Sequence, residues 1–266
     1  MPIIAGRYAP ALLMPDLPAL SGVVITRNEA DRIARCVGSL LPLCREVIVL
    51  DSGSTDATVA IARAAGARVE HQDWLGFAAQ KNAAIARATQ PWVILLDADE
   101  WLEPPAQAAV RELFAGTIER ADVWLLLRRT HFLGRAMRGG SFAREPVQRL
   151  FRAQLRHALR PVHEFLDVAG WRVARSRIRL EHDTARDADE YWHKLQGYAR
   201  LWAREQASRG KTAWPGRGVL AAIAYALKNL VLRLGLIDGR AGLRFHWLHM
   251  RYAARKYALL RRAASD

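Results

Sequence analysis

Cysteine is scarce. Cys36 and Cys44 are the only two in 266 residues, and no C-x-x-C spacing joins them. That excludes a disulfide framework and the common zinc-ribbon patterns, and makes a reducing compartment the simpler expectation. Acid is scarce at one end: residues 191–266 carry 3 acidic against 15 basic side chains, net +12. Residues 1–100 carry 11 acidic against 9 basic and residues 101–190 carry 12 against 16, so the overall +14 belongs mainly to the last quarter. A basic segment of this size seeks an anionic surface or ligand. Long apolar runs are also lacking. The nearest, residues 218–237, is broken by Lys228, Asn229 and Arg233, which argues against a membrane span and for an amphipathic helix that is interfacial or core-packed. The first twenty residues hold Pro2, Pro10, Pro15 and Pro18, so a secretory leader is not expected. Repeats and low-complexity tracts are missing. With 51% hydrophobic and 25% charged residues, a largely disordered chain is excluded. The length suits one large domain, or one plus an appendage.

What is present in the first hundred residues is alternation. Residues 23–25, 46–50, 67–70 and 91–96 read as strands, the second and fourth as continuous apolar runs. Between them lie helix signals at 32–41, stopped by Pro42, at 59–64, ended by Gly66, and at 77–88. Strands separated by such helices predict an α/β fold with a mostly parallel sheet and helices on both faces. Ligands of such sheets bind beyond the carboxyl ends of the strands, so the loops after Ile25, Leu50 and Leu96 are the ones to inspect. Residues 123–127 and 148–151 read as further strands, and 190–266 as helical with breaks at Gly210, Pro215, Gly216, Gly235 and Gly239.

The loop after the fourth strand reads Asp97-Ala98-Asp99-Glu100. Carboxylates crowded at the exit of a buried strand are costly unless a positive charge sits among them. Oxygen ligands suit Mg²⁺ or Mn²⁺, which commonly bridge carboxylate and substrate phosphate. The alternative is the acidic first turn of a helix. The loop after the second strand, residues 51–56, is Asp-Ser-Gly-Ser-Thr-Asp. It is a capped turn whose Gly53 permits close approach and whose Asp51 precedes the cap, within reach of a ligand. His182 is a candidate metal or phosphate contact, or a structural histidine. Arg149 and Arg152 lie on opposite faces of their strand, and at least one is expected to meet a phosphate or carboxylate. Trp74 and Phe77 are candidates to stack on a sugar or base, with packing as the alternative.

Taken together, residues 25–29 (Ile-Thr-Arg-Asn-Glu), 49–56, the Trp74-Leu75-Gly76-Phe77 stretch with Gln80-Lys81-Asn82, and 96–100 resemble family 2 glycosyltransferases in order and spacing over residues 21–103. Gly139-Gly140, residues 149–152, Val162-His163-Glu164 and Ile237-Asp238-Gly239 extend the likeness toward lipopolysaccharide core glucosyltransferases. The resemblance implies a Rossmann-like GT-A fold, a nucleotide-sugar donor such as a UDP-hexose, Mn²⁺ or Mg²⁺, and inversion at the anomeric carbon. It implies that Thr26, Asn28, Glu29, Asp51 and Ser52 line the nucleoside pocket, that Lys81 lies near the phosphates, and that Asp97 and Asp99 form the metal motif, with His182 a further candidate. Where many members carry two adjacent acids after the second strand, this chain has Asp51 then Ser52.

An inverting displacement needs a base for the acceptor hydroxyl. Glu164 is the candidate, oriented by His163; Asp167, Asp183 and Glu145 compete. The expected organisation is a glycosyltransferase domain over 1–190, with its nucleotide-sugar half at about 20–103 and its acceptor half at 104–190. A helical, basic, membrane-associating extension follows over 191–266. The partners expected are a nucleotide sugar, a glycolipid or lipid-linked acceptor and an anionic membrane surface, with the protein peripheral on the cytoplasmic face of the inner membrane. Nucleic acid is not expected, since no recognition motif supports it. Competing readings are a nucleotidyltransferase, disfavoured by the lack of a Gly-rich basic loop near residue 26, and a non-catalytic binding module, disfavoured by the intact Asp97/Asp99 pair.

Overall fold

The computed structural model describes residues 17–159 and 165–263. The alternation in the first hundred residues folds as β1 (Leu20–Thr26), α1 (Ile33–Leu40), β2 (Glu46–Asp51), α2 (Thr58–Ala64), β3 (Arg68–His71), α3 (Phe77–Ile85) and β4 (Trp92–Asp97). The four strands pair in parallel in the order β3-β2-β1-β4. Side chains alternate across the sheet, so each apolar strand feeds two cores. Val24, Val49, Ile94 and Leu96 pack under α1, α2 and α4 (Pro104–Gly116). Val23, Ile25, Ile48, Leu50, Val93 and Leu95 pack on the other face with Ala84 and Ile85 of α3. Gly22 makes the first layer possible: a Cβ there would meet Cys44 Sγ and Leu40 Cδ1 at 3.2 Å.

Beyond β4 the sheet changes character. β5 (Glu100–Trp101), β6 (Val123–Phe132), β7 (Arg135–Ala136), β8 (Glu145–Arg152) and β9 (Val173–Asp183) extend it to the order β3-β2-β1-β4-β8-β6-β9-β5, with β7 paired to β6. β8 runs antiparallel to both β4 and β6, and only β6 and β9 pair in parallel. The α/β class with helices on the sheet holds; the parallel order is continuous in the first half of the sheet, and the second half is mixed. Residues 133–144 between β6 and β8 contain no helix to carry a parallel crossover. β5, α4 and β9 were not anticipated. β9 carries a half-exposed pattern, with Arg175, Arg177 and Arg179 outward and Ile178 and Leu180 buried.

The C-terminal quarter is helical, as expected: α5 (Ala188–Ser208), α6 (Arg217–Ala226) running into a π-helical segment (Leu227–Leu232), a 3-10 turn (Gly235–Asp238) and α7 (Gly239–Ala263). Asp187 caps α5, accepting from the backbone N–H groups of Asp189 and Glu190. α7 turns its apolar stripe inward. Phe245 and Leu248 are buried with Phe132 of β6 and Tyr191 of α5, which ties the helices to the sheet. α6 has no buried residue, and Val219, Leu220, Ile223 and Leu227 on it or just beyond it are exposed, whereas Asn229 and Gly235 farther along the 218–237 segment are buried, so the segment is packed at its far end and open along α6. Among the described residues no single helix is long and apolar enough to cross a membrane; the segments 217–232 and 235–263 meet that length and composition only as a pair bent by 79°.

The elbow of that pair is bolted to the loop between β7 and β8. Asp238 accepts hydrogen bonds from the N–H groups of Arg138 (2.7 Å) and Gly139 (3.0 Å), and Asn229 Oδ1 accepts from Ser141 N and Oγ. A side chain at Gly139 would run into the backbone of Leu234. Two short motifs, Gly139-Gly140 and Ile237-Asp238-Gly239, nearly a hundred residues apart in sequence, thus meet in space.

Candidate active site

β2 and β4 flank β1 on opposite sides, so the connections diverge at the carboxyl ends of β1 and β4. A crevice opens at such a switch point because no loop crosses it. Here it is a cleft of about 1260 Å³, bordered by Thr26, Ser52, Lys81, Asp97, Asp99 and Arg149 among others.

Asp97 is the last residue of β4. It receives a hydrogen bond from the Arg149 guanidinium, which enters from β8, and its other oxygen is 3.5 Å from Lys81 Nζ. Burial works against its charge, but Arg149 and then Lys81 outweigh burial and hold its carboxyl well below the usual range. Glu100 is completely buried, and its carboxylate takes Arg149 (2.7 Å) and Arg128 (3.3 Å) while accepting from the Asp97 N–H (3.1 Å). The Asp97–Glu100 stretch is therefore a turn between β4 and β5, not the acidic first turn of a helix; α4 starts only at Pro104.

Asp99 has a different environment. Its Oδ2 lies 3.4 Å from His182 Nε2 and 4.0 Å from Lys194 Nζ of α5. Burial would raise its pKa, but the His182 ring and then Lys194 lower it to about 2. Asp99 Oδ1 and His182 Nδ1 are both buried without a hydrogen-bond partner. Three more cleft residues show the same feature, at Thr26 Oγ1, Arg149 Nε and His157 Nδ1. An unsatisfied buried polar atom costs about 1–3 kcal/mol, so five around one cleft mark a surface shaped for a polar ligand.

Of the residues expected to form the metal motif, the structure brings Asp99 and His182 together and turns Asp97 toward two cations. Among the described residues no three His, Cys, Asp or Glu side chains converge as a complete cage. A carboxylate and an imidazole with free lone-pair positions, opening on a cleft, fit a hard divalent ion that draws its remaining ligands from substrate phosphate and water.

Among the residues expected to line a nucleoside pocket, Thr26 ends β1 and borders the cleft. Asn28, at φ 55°, donates its N–H to Ser54 Oγ and accepts from the Thr55 N–H, locking the two loops together. Glu29 faces Arg186 (3.0 Å) and Arg32 (3.5 Å); burial pushes its carboxyl up to about 7 against the pull of Arg32. Asp51 is not spare: it ends β2, is buried, and accepts from Gly53 N, Ser54 N and the Ser54 hydroxyl. Ser52, which takes the Gln80 amide at 3.1 Å, reaches the cleft instead. Trp74 and Phe77 are about half exposed, pack edge to face at 4.8 Å and border the cleft. Glu164 and His163 lie outside the described residues; Phe165, next in the chain, lines the cleft. Arg149 meets carboxylates, as one of the two arginines was expected to, while Arg152 lies over Trp92 and pairs with Glu119. Lys194, Arg128 and Arg186 were missed, since each comes from a strand, helix or loop distant in sequence and none sits in a motif.

The chain was compared with known proteins. The family described as glycosyl transferase family 2 matches residues 21–123. An uncharacterized glycosyltransferase of Rickettsia felis is 45% identical over 96 residues, 36% of this chain and 34% of its own length. The lipopolysaccharide core biosynthesis glycosyltransferase LpsC of Rhizobium meliloti is 33% identical over 207 residues, 75% of each chain. Among solved structures, glucosyl-3-phosphoglycerate synthase from Mycobacterium tuberculosis, in complex with Mn²⁺, UDP and glucosyl-3-phosphoglycerate, is 26% identical over 49% of this chain and 52% of that one. Its TM-score is 0.36. The chain thus spans about a third of the Rickettsia relative and about half of that structure. The likeness to LpsC runs well past the parallel half of the sheet into the second half of the fold, and by that extent the chain belongs to glycosyl transferase family 2.

Proposed function

We propose that this glycosyltransferase moves a hexose from a UDP-sugar to a hydroxyl of a glycolipid acceptor, with inversion and with Mn²⁺ or Mg²⁺, in lipopolysaccharide core or related envelope-glycan synthesis. The observation that carries the reading is the set of unsatisfied buried polar atoms around the cleft at the β1/β4 switch point, Asp99 Oδ1 and His182 Nδ1 foremost. Thr26, Ser52 and the Trp74–Phe77 pair, which border the cleft, would hold the nucleoside. Lys81 and Arg149 give the diphosphate end a positive field, and Asp97 between them fixes their positions. Asp99 and His182 would hold the ion. A bound divalent ion supplies neutralisation of the charge that develops on the departing diphosphate. Glu164 remains our candidate to take the acceptor proton, oriented by His163.

The acceptor class and location rest on further support. LpsC is named for lipopolysaccharide core biosynthesis. The exposed apolar face of α6 continues through Val231, Leu232, Leu234, Leu236 and Ile237 to Leu243 and Trp247. Lys228, Arg233, Arg240 and Arg244 are interspersed along it. An apolar face with basic flanks suits insertion into the headgroup layer of an anionic membrane, so we place the enzyme peripherally on the cytoplasmic face of the inner membrane.

The direct test is donor hydrolysis: purified protein should release UDP from a UDP-hexose in a Mn²⁺-dependent manner. Asp99→Asn should lower that rate on the order of a hundredfold while thermal unfolding stays cooperative. Mn²⁺-independent hydrolysis, or an unaffected Asp99→Asn, would overturn the assignment of Asp99.

A further inference from the structure

The cleft continues beyond the carboxylates, along α5 and α7. On α5 its residues are Tyr191, Lys194, Tyr198 and Trp202, three or four apart and therefore on one helical face. α7 adds His249, Tyr252 and Lys256 with the same spacing. The eleven steps from Tyr191 to Trp202 advance about 16 Å, longer than one sugar ring. At the near end Lys194 is committed to Asp99.

The far end is different. Lys256 Nζ lies 4.7 Å from the centre of the Trp202 ring and 5.5 Å from those of Tyr252 and Tyr257. Among the described residues, Lys256 has no carboxylate at ion-pair distance. Arg217 sits over Tyr257 at 5.1 Å, so a second cation adds to the local potential. Burial, and then Arg217, push the Lys256 ammonium pKa down, which marks a cation short of a counter-charge. Tyr198 and Leu201, at the same end, are about two-fifths exposed.

Aromatic faces that are open to a cleft stack on the C–H face of a sugar ring, and an ammonium set among them has a vacancy for one anion. One ammonium balances the single charge of a carboxylate; a lysine also meets phosphate as a point charge, and the sugar phosphate in the test below separates the two. We propose that this wall is the acceptor subsite and that it selects a saccharide bearing a carboxylate, with Lys256 holding the acid and the Tyr198, Trp202 and Tyr252 rings packing the sugar. The proposal rests on the glycosyltransferase reading above. It gives the helical extension a part in acceptor choice besides contact with a surface.

The test uses the full chain with UDP and Mn²⁺ present. Methyl β-glucuronide, methyl β-glucoside and glucose 6-phosphate are titrated by ligand-detected NMR, and UDP binding is measured on the same samples. The glucuronide should bind roughly fivefold tighter than the glucoside, and the preference should shrink at high salt. Lys256→Met should bring the two sugars to parity with UDP affinity unchanged, and Lys256→Arg should retain the preference. Equal binding of glucuronide and glucoside by the wild type overturns the subsite, as does a preference that survives in Lys256→Met. Tighter binding of the sugar phosphate overturns the choice of carboxylate. If UDP itself fails to bind, the donor-site reading falls, and the proposal falls with it.

Discussion

Arg149→Met tests whether the site is held together by compensated charge. The guanidinium reaches from β8 into the turn after β4, where it is nearly inaccessible to water. It bonds Asp97 and, at 2.7 Å, Glu100, which is fully buried. Met keeps much of the volume and none of the charge. Glu100 would be left with Arg128 at 3.3 Å, and Asp97 with Lys81 at 3.5 Å. Stranding a buried charge by removing its partner costs about 3–5 kcal/mol. For a chain of this size each kcal/mol moves Tm by about 2–4 °C, so a drop of about 6–20 °C is expected. The pH dependence provides an internal control. Arg149 is a main cause of the lowered Asp97 pKa. A carboxyl with a lowered folded-state pKa contributes stability that is full above its unfolded value and is lost as pH falls through the folded value. Without Arg149 the Asp97 pKa rises, acid relieves the stranded charge, and the gap between wild type and variant should narrow from pH 7 toward pH 4. Urea unfolding across that range measures it. The double variant Arg149→Met with Glu100→Gln should recover part of the loss. A penalty under about 1 kcal/mol, the size of a surface pair, or a gap that does not change with pH would refute the reasoning.

Two further outcomes are expected. Glu164→Gln should lower transfer by about 10²–10⁴-fold with donor affinity unchanged, because a missing base raises the chemical barrier and not the dissociation constant; single-turnover kinetics with UDP titration would check it, and an unchanged rate moves the base elsewhere. The protein should float with anionic liposomes, less so at high salt, and Ile223→Asp with Leu227→Asp should weaken flotation while unfolding stays cooperative, since both side chains are exposed; equal recovery with neutral vesicles would remove the electrostatic part.

The fold of the first hundred residues was legible because its signals are local. Continuous apolar runs such as residues 47–50 and 93–96, bounded by Pro42, Gly66 and Pro91, admit few readings, and the core shows each run dividing its side chains between two layers. The second half was less legible because its order comes from distant pairing. β9 reads as a string of arginines unless the alternate Ser176, Ile178 and Leu180 are set against β6, and β5 is two residues that become a strand only by pairing with Glu181 and His182.

The site divides in the same way. Thr26, Ser52, Asp97 and Asp99 announce themselves at strand ends, but their electrostatic state depends on Arg149, Lys194 and Lys81, which arrive from three other elements. Asp97 and Asp99, expected together as the metal motif, sit in different surroundings for that reason. In a strand-to-turn geometry, residues 97 and 99 face different neighbours. One carboxylate is neutralised by protein cations, and the other keeps an oxygen unpaired. An acidic doublet at a strand exit specifies a place for positive charge, and the long-range contacts decide which carboxylate the protein's guanidinium takes and which keeps an oxygen without a partner.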